Sequence, residues 1–243
     1  MATTLASRSQ VFTPEAYQTC LFAIDQPTVD PGFTGSERLW LDDATWVDVV
    51  PNWLHGADLV FADLVDRLPW RQRKVLMYDR KVDEPRLTAW WGTGEHRPEP
   101  LAVLAEARCA LSARYDKPFD SIGFNLYRDG RDSVAWHGDR ERFVREDPTV
   151  AIVSVGARRG FHMRPRFREP GGRTRGRQFM LGHGDLFVMG GACQHDWEHS
   201  VPKVVHAEGP RLSIMFRHHQ GGDLDDEDDG TNEDEVAESA MRN

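Results

Sequence analysis

The run Val150-Ala151-Ile152-Val153-Ser154-Val155-Gly156, followed by Gly160-Phe161-His162-Met163-Arg164-Pro165-Arg166-Phe167, decides the fold class of this chain. The first is rich in β-branched residues, the second carries two Phe, and short runs like these separated by Gly, Asp and Pro have the texture of strands. Working outward, similar runs occupy 122–128, 178–181, 185–189, 197–205 and 211–217. Short strands at this density over residues 119–220 predict a sandwich or jelly roll. Upstream the pattern is mixed. Leu39–Val50 is strand-like, and Pro51-Asn52 offers a helix start before Leu59, Val60, Leu64, Val65 and Leu68, a stripe that ends ahead of Pro69. A second helix is expected after Pro100, with Leu101, Leu104, Arg108 and Leu111 along one side, while Arg71–Arg97 reads as hairpins and loops.

At 243 residues, with 40% hydrophobic residues, 8 Trp and 12 Phe, the chain has the material for one large core, which excludes wholesale disorder. No apolar stretch approaches the roughly 20 residues of a membrane-spanning helix, and Met1–Val11 lacks a signal-type apolar region. Three separated cysteines, Cys20, Cys109 and Cys193, form neither a disulfide framework nor a thiolate cluster. These features predict an unsecreted protein of the bacterial cytoplasm or another intracellular, reducing compartment. The net charge of -9 is uneven: the ten acids between Asp223 and Glu238, against Arg242, account for all of it. Residues 1–220 are therefore neutral, and 221–243 are expected to be a disordered acidic tail. Residues 1–38 read as an irregular N-terminal arm, and 158–177 form an Arg-rich segment that could meet phosphate.

Trp136-His137-Gly138-Asp139 carries an imidazole and a carboxylate two residues apart, a spacing that puts both on one side of an extended chain. Trp197-Glu198-His199 supplies a further imidazole in a strand-like stretch, with His195 as a rival. Two His and one carboxylate on one face of an iron ion leave positions open for a co-substrate and O2, an oxygenase arrangement. In Arg211-Leu-Ser-Ile-Met-Phe-Arg217, alternation sends Leu212, Ile214 and Phe216 one way and Arg211, Ser213, Met215 and Arg217 the other. Two guanidiniums on one face call for an anion, and a dicarboxylate would suffice. Asn125 and Tyr127 likewise point together and can hydrogen-bond a carboxylate.

Taken in order, Pro85-Arg86-Leu-Thr-Ala-Trp90-Trp91-Gly92, Asn125-Leu-Tyr127-Arg-Asp-Gly, Asp132-Ser-Val-Ala-Trp136-His137-Gly-Asp139, Gly184-Asp185-Leu-Phe-Val-Met189-Gly-Gly191, Gln194-His-Asp-Trp197-Glu-His199-Ser-Val-Pro202-Lys203 and Arg211–Arg217 resemble the AlkB-type dioxygenases dependent on Fe(II) and 2-oxoglutarate. The resemblance covers roughly Pro85 to Arg217. It implies an α+β protein with a double-stranded β-helix (jelly-roll) core over 119–220, preceded over 39–118 by helices and a substrate-recognition loop region. It implies iron ligation by His137, Asp139 and His199. Arg211 would clamp 2-oxoglutarate with Asn125, Tyr127 and Ser213, the last standing where relatives usually have Asn, and Met189 would line the same pocket. Arg217, the closing Arg of the motif, would lie nearer the iron and substrate. Trp90, Trp91 and Glu141 would meet the target base, although relatives often carry an acid where Arg140 stands. The implied reaction converts 2-oxoglutarate and O2 to succinate and CO2 while an N-alkyl group leaves a base of DNA or RNA as an aldehyde. Cationic bases such as 1-methyladenine and 3-methylcytosine are the implied lesions, and no obligate protein partner is evident. An oxygenase acting on a protein, lipid or small molecule would share the same metal and co-substrate residues.

Overall fold

The computed structural model describes residues 26–77, 80–92, 99–139, 147–167 and 176–218. The acidic tail, most of the N-terminal arm, Arg140, Glu141, and Arg168, Arg173 and Arg175 of the Arg-rich segment lie outside the described residues. In chain order the strands are β1 (Thr28–Val29), β2 (Glu37–Trp40), β3 (Thr45–Val50), β4 (Leu54–His55), β5 (Lys74–Met77), β6 (Arg80–Asp83), β7 (Leu87–Gly92), β8 (Ser121–Tyr127), β9 (Val134–His137), β10 (Val150–Gly156), β11 (Arg159–Pro165), β12 (Arg177–Leu181), β13 (Asp185–Gly191), β14 (Trp197–Val201) and β15 (Arg211–Arg217). The helices are α1 (Ala57–Arg67), α2 (Ala102–Tyr115) and the single turn α3 (Cys193–Asp196).

Two antiparallel sheets face each other. The larger has seven strands in the order β2-β3-β13-β10-β15-β8-β7, and the smaller has four, β12-β11-β14-β9. Apart from the β11–β12 hairpin within the small sheet, successive strands from β8 to β15 alternate between sheets, which is a jelly roll. The sheet begins before Phe119, because β2, β3 and β7 hydrogen-bond into it.

The large sheet is covered on both faces, which explains why β10 is buried along its whole length and reads as a continuous apolar run. Ala151, Val153 and Val155 pack with Leu212, Ile214 and Phe216 beneath Val60 and Leu64 of α1 and Leu104 and Leu111 of α2. Each large aliphatic or aromatic side chain so buried contributes about 1.5–3 kcal/mol. Val150 and Ile152, on the opposite face, join Phe161, Met163, Phe187, Met189 and Met215 between the sheets.

Several expected boundaries move. Leu39–Val50 is a hairpin, β2 and β3, whose turn is held by Asp42 Oδ1 accepting from the backbone N–H of Ala44 and Thr45 at 3.0 and 2.7 Å. Helix α1 starts at Ala57 rather than at Pro51-Asn52: those two residues form a turn with Asn52 at φ 50°, and β4 intervenes to pair with β1. Leu59 is exposed, while Val60 and Leu64 carry the buried stripe. On α2 the buried residues are Val103, Leu104, Ala107 and Leu111, and Arg108 turns away to bond Glu99 at 2.9 Å. Strand β14 stops at Val201, since Pro202 has no N–H to continue the ladder.

Candidate active site

Strands β9 and β14 of the small sheet present the two imidazoles. His137 and His199 are direct neighbours in register, and their ring centroids lie 4.3 Å apart. Val201 pairs with Val134, so β9 spends one more residue than β14 over this span. The bulge lets Val134 and His137 both face inward, a local twist of the kind that re-aims side chains beside active sites. His137 Nδ1 sits 2.9 Å from Ala135 O. A carbonyl only accepts, so Nδ1 carries the hydrogen and Nε2 offers its lone pair. Asp139 follows two residues later, and its ligand oxygen and those of the imidazole nitrogens all lie within 4.8 Å of one another.

Electrostatics prepares this cluster for a cation. Burial pushes His199 down to about 3, aided by His137, so the ring is neutral and its 3.9 Å approach to Asp139 is not an ion pair. Burial by itself would raise the Asp139 carboxyl. The Arg217 guanidinium, donating to Oδ1 at 2.7 Å, overcomes that and holds the group well below the usual carboxylate range. Oδ2 is buried and has no hydrogen-bond partner among the described residues. Two clustered imidazoles, that of His199 neutral, beside an ionised oxygen with an unused lone pair are a metal-binding donor set.

The facing surface of the large sheet is a polar lane. Arg211 pairs with Tyr127, Ser213 pairs with Asn125 and Ser154, and Met215 pairs with Gly123. Arg211 is 1% exposed, and its Nε donates to Ser154 Oγ at 2.9 Å. Its carbon Cζ lies 5.4 Å from the Tyr127 ring centre. Burial pulls the guanidinium down to about 10, and NH1 has no partner among the described residues. A charged donor buried without an acceptor is costly, and an incoming carboxylate removes that cost. The side chains therefore fit a co-substrate acid as well as a metal.

A family model described as the 2OG-Fe(II) oxygenase superfamily matches residues 57–217. The chain belongs to that superfamily. The chain is 38% identical over 177 residues to the alpha-ketoglutarate-dependent dioxygenase alkB homolog 3 of Mus musculus, a match covering 68% of this chain and 62% of that protein. It is 29% identical over 212 residues to the DNA oxidative demethylase ALKBH2 of Arabidopsis thaliana, covering 67% of each. Among solved structures, OsALKBH1 superposes with a TM-score of 0.46 at 14% identity, over 75% of this chain and 100% of that one. The jelly-roll assignment rests on the strand order itself. The superfamily works with Fe(II), 2-oxoglutarate and O2, and the donor set of this chain fits them.

The structure brings together His137, Asp139, His199 and Arg217 on one side and Asn125, Tyr127, Arg211 and Ser213 on the other. It separates four other residues from their expected places. Trp91 is 4% exposed and packs in the helix-side core, because adjacent residues of β7 face opposite ways; it cannot meet a base. Trp90, 43% exposed, lies on the site face beside Gly123. A Cβ at Gly123 would meet Arg217 at 2.9 Å and Trp90 at 3.3 Å, so the glycine leaves room for both. Met189 pairs with Val150 and Arg211 with Gly156, at opposite ends of β10, which puts Met189 away from the clamp and against Gln194. Within the Arg-rich segment, Arg159 is buried and donates to the carbonyls of Asp129, Asp132 and Pro202 at 3.0, 2.9 and 2.8 Å, so it is unavailable to phosphate. Arg164 is committed to Glu198 at 2.7 Å. Sequence reasoning missed Ser154, although a hydroxyl inside the otherwise apolar run 150–156, on the face of Val150 and Ile152, signals a polar pocket there.

Proposed function

We propose that this oxygenase oxidatively removes alkyl groups from N-alkylated bases of DNA or RNA, such as 1-methyladenine and 3-methylcytosine. In this reading His137, Asp139 and His199 hold Fe(II), and Arg211 holds the distal carboxylate of 2-oxoglutarate, with Ser213, Asn125 and Tyr127 beside it. The observation that carries the reading is that two buried atoms lack a hydrogen-bond partner among the described residues: Asp139 Oδ2, an acceptor beside the imidazoles, and Arg211 NH1, a donor on the large sheet. When bound, Fe(II) supplies O2 activation, 2-oxoglutarate is oxidised to succinate and CO2, and the alkyl carbon leaves as an aldehyde.

The protein's own residues then have limited tasks. Arg217 fixes the Asp139 carboxylate at 2.7 Å and keeps it ionised. Met163, Phe161 and Met215 keep the space between the sheets dry. A base stacked in a duplex cannot reach such a cleft, so the nucleotide must be everted or already single-stranded. Trp90 offers an aromatic face at the rim for it. We assign the hairpin β5–β6 and strand β7 to substrate recognition. The relative named as a DNA oxidative demethylase supports a nucleic-acid substrate.

The test supplies Fe(II), 2-oxoglutarate and O2 with methylated single and double strands of DNA and RNA, and measures succinate, formaldehyde and restored base together. Equal yields of the three from a methylated strand are expected. Succinate without restored base on every strand would move the enzyme to a protein, lipid or small-molecule substrate.

A further inference from the structure

We infer that Gln194 is a positioning residue for the metal centre, acting through the backbone of Asp139; the inference rests on the iron-ligand reading above. Gln194 lies in α3, the single turn joining β13 to β14, and is fully buried. A buried amide is costly unless both its ends are matched. Its Oε1 accepts the Asp139 N–H at 3.1 Å, and its Nε2 lies 3.8 Å from Met189 Sδ, a weak acceptor. The reversed amide would set two donors against each other at Asp139, so the orientation follows from the partners.

This bond falls just beyond the end of a strand. Strand β9 ends at His137, whose ladder partner is His199, and Asp139 lies beyond it. Its carboxylate is anchored at one oxygen by Arg217, 2.7 Å away. With Gln194 on the N–H, the residue is held at backbone and side chain together, and the free oxygen Oδ2 is aimed at the imidazoles. The same short segment, residues 194–199, therefore delivers one ligand and orients another. Outer partners that orient metal ligands are worth about 10- to 100-fold in metal affinity.

The experiment titrates Co(II) into the metal-free full chain and follows the visible absorption of the bound ion, with folding checked by circular dichroism. Gln194→Met, similar in volume but without an acceptor, is expected to weaken Co(II) binding about 10- to 100-fold and to alter the spectrum. Gln194→Glu keeps an acceptor oxygen and is expected to stay within a few-fold of the parent. Should the Met variant fail to fold, Gln194→Asn, one methylene short of the N–H, makes the same comparison more gently. A merely structural role would lower the melting temperature while leaving affinity and spectrum unchanged. His137→Ala separates the two layers of the argument: Co(II) binding that survives it overturns the metal site itself. Binding lost in His137→Ala but equal to the parent in folded Gln194→Met or Gln194→Asn, or lost equally in the Met and Glu variants, overturns the role of Gln194 alone.

Discussion

Replacing Arg211 by Met separates a residue that waits for an anion from one that supports the fold. Burial lowers the guanidinium to about 10. That fall from its ordinary range, at about 1.4 kcal/mol per pH unit, makes the buried cation a cost of roughly 3 kcal/mol in the metal-free, acid-free protein. Because the folded value is depressed, the cost is present at neutral pH and fades only as pH rises through about 10. Removing the charge recovers it, and the lost bond to Ser154 Oγ returns about 1 kcal/mol of it. The variant should therefore be as stable as the parent or up to about 2 kcal/mol more stable in urea. Binding moves the other way. Deleting one partner of a buried ion pair costs about 3–5 kcal/mol, so 2-oxoglutarate affinity should fall by roughly a hundred- to several-thousand-fold. Calorimetry with Mn(II) in place of Fe(II), which stops turnover, reads the affinity directly. Unchanged affinity would refute the clamp. A variant destabilised by several kcal/mol would show that Arg211 holds the fold and awaits nothing.

Two further perturbations have opposed signatures. Trp91→Ala should cost about 3–5 kcal/mol of stability through the cavity it leaves, whereas Trp90→Ala should leave stability nearly unchanged. On a methylated strand, Trp90→Ala should instead weaken binding by roughly 5- to 150-fold, the worth of one stacked base; equal effects of the two variants on stability would contradict their assigned faces. In the metal-free protein, His199 titrates at about 3 when folded and near 6.5 in an unfolded chain, so the unfolded state takes up the proton first as pH falls. Stability present above pH ~6.5 should decline toward pH ~3, by an amount on the order of a few kcal/mol, and His199→Gln should flatten that limb in denaturant titrations.

Part of the candidate site was legible because its geometry is local: His137 and Asp139 share a short segment, and the alternation of 211–217 puts Arg211 and Arg217 on one face whatever the sheet order. That face could be named from the sequence, but what it faces could not. Trp90 and Trp91 show the limit. Either tryptophan could have met the site until the pairing of β7 with β8 put Gly123 under Trp90 and the helices over Trp91. Met189 was misplaced for a similar reason, since its position relative to Arg211 depends on how β13 and β15 each register against β10. The start of α1 was obscured by β4, whose two residues form a strand only because β1 pairs with them. Gln194 lay inside a motif already noticed, yet its partner Asp139 is 55 residues away in sequence. No local signal announces such a bond.

The most direct measurement adds Fe(II) and then 2-oxoglutarate to the protein without O2, and follows metal stoichiometry and the visible charge-transfer band of a keto acid chelated to ferrous iron. One ion per chain and a band that vanishes in both His137→Ala and Asp139→Ala is the predicted result. A band of undiminished strength in either variant would mean that the metal sits elsewhere.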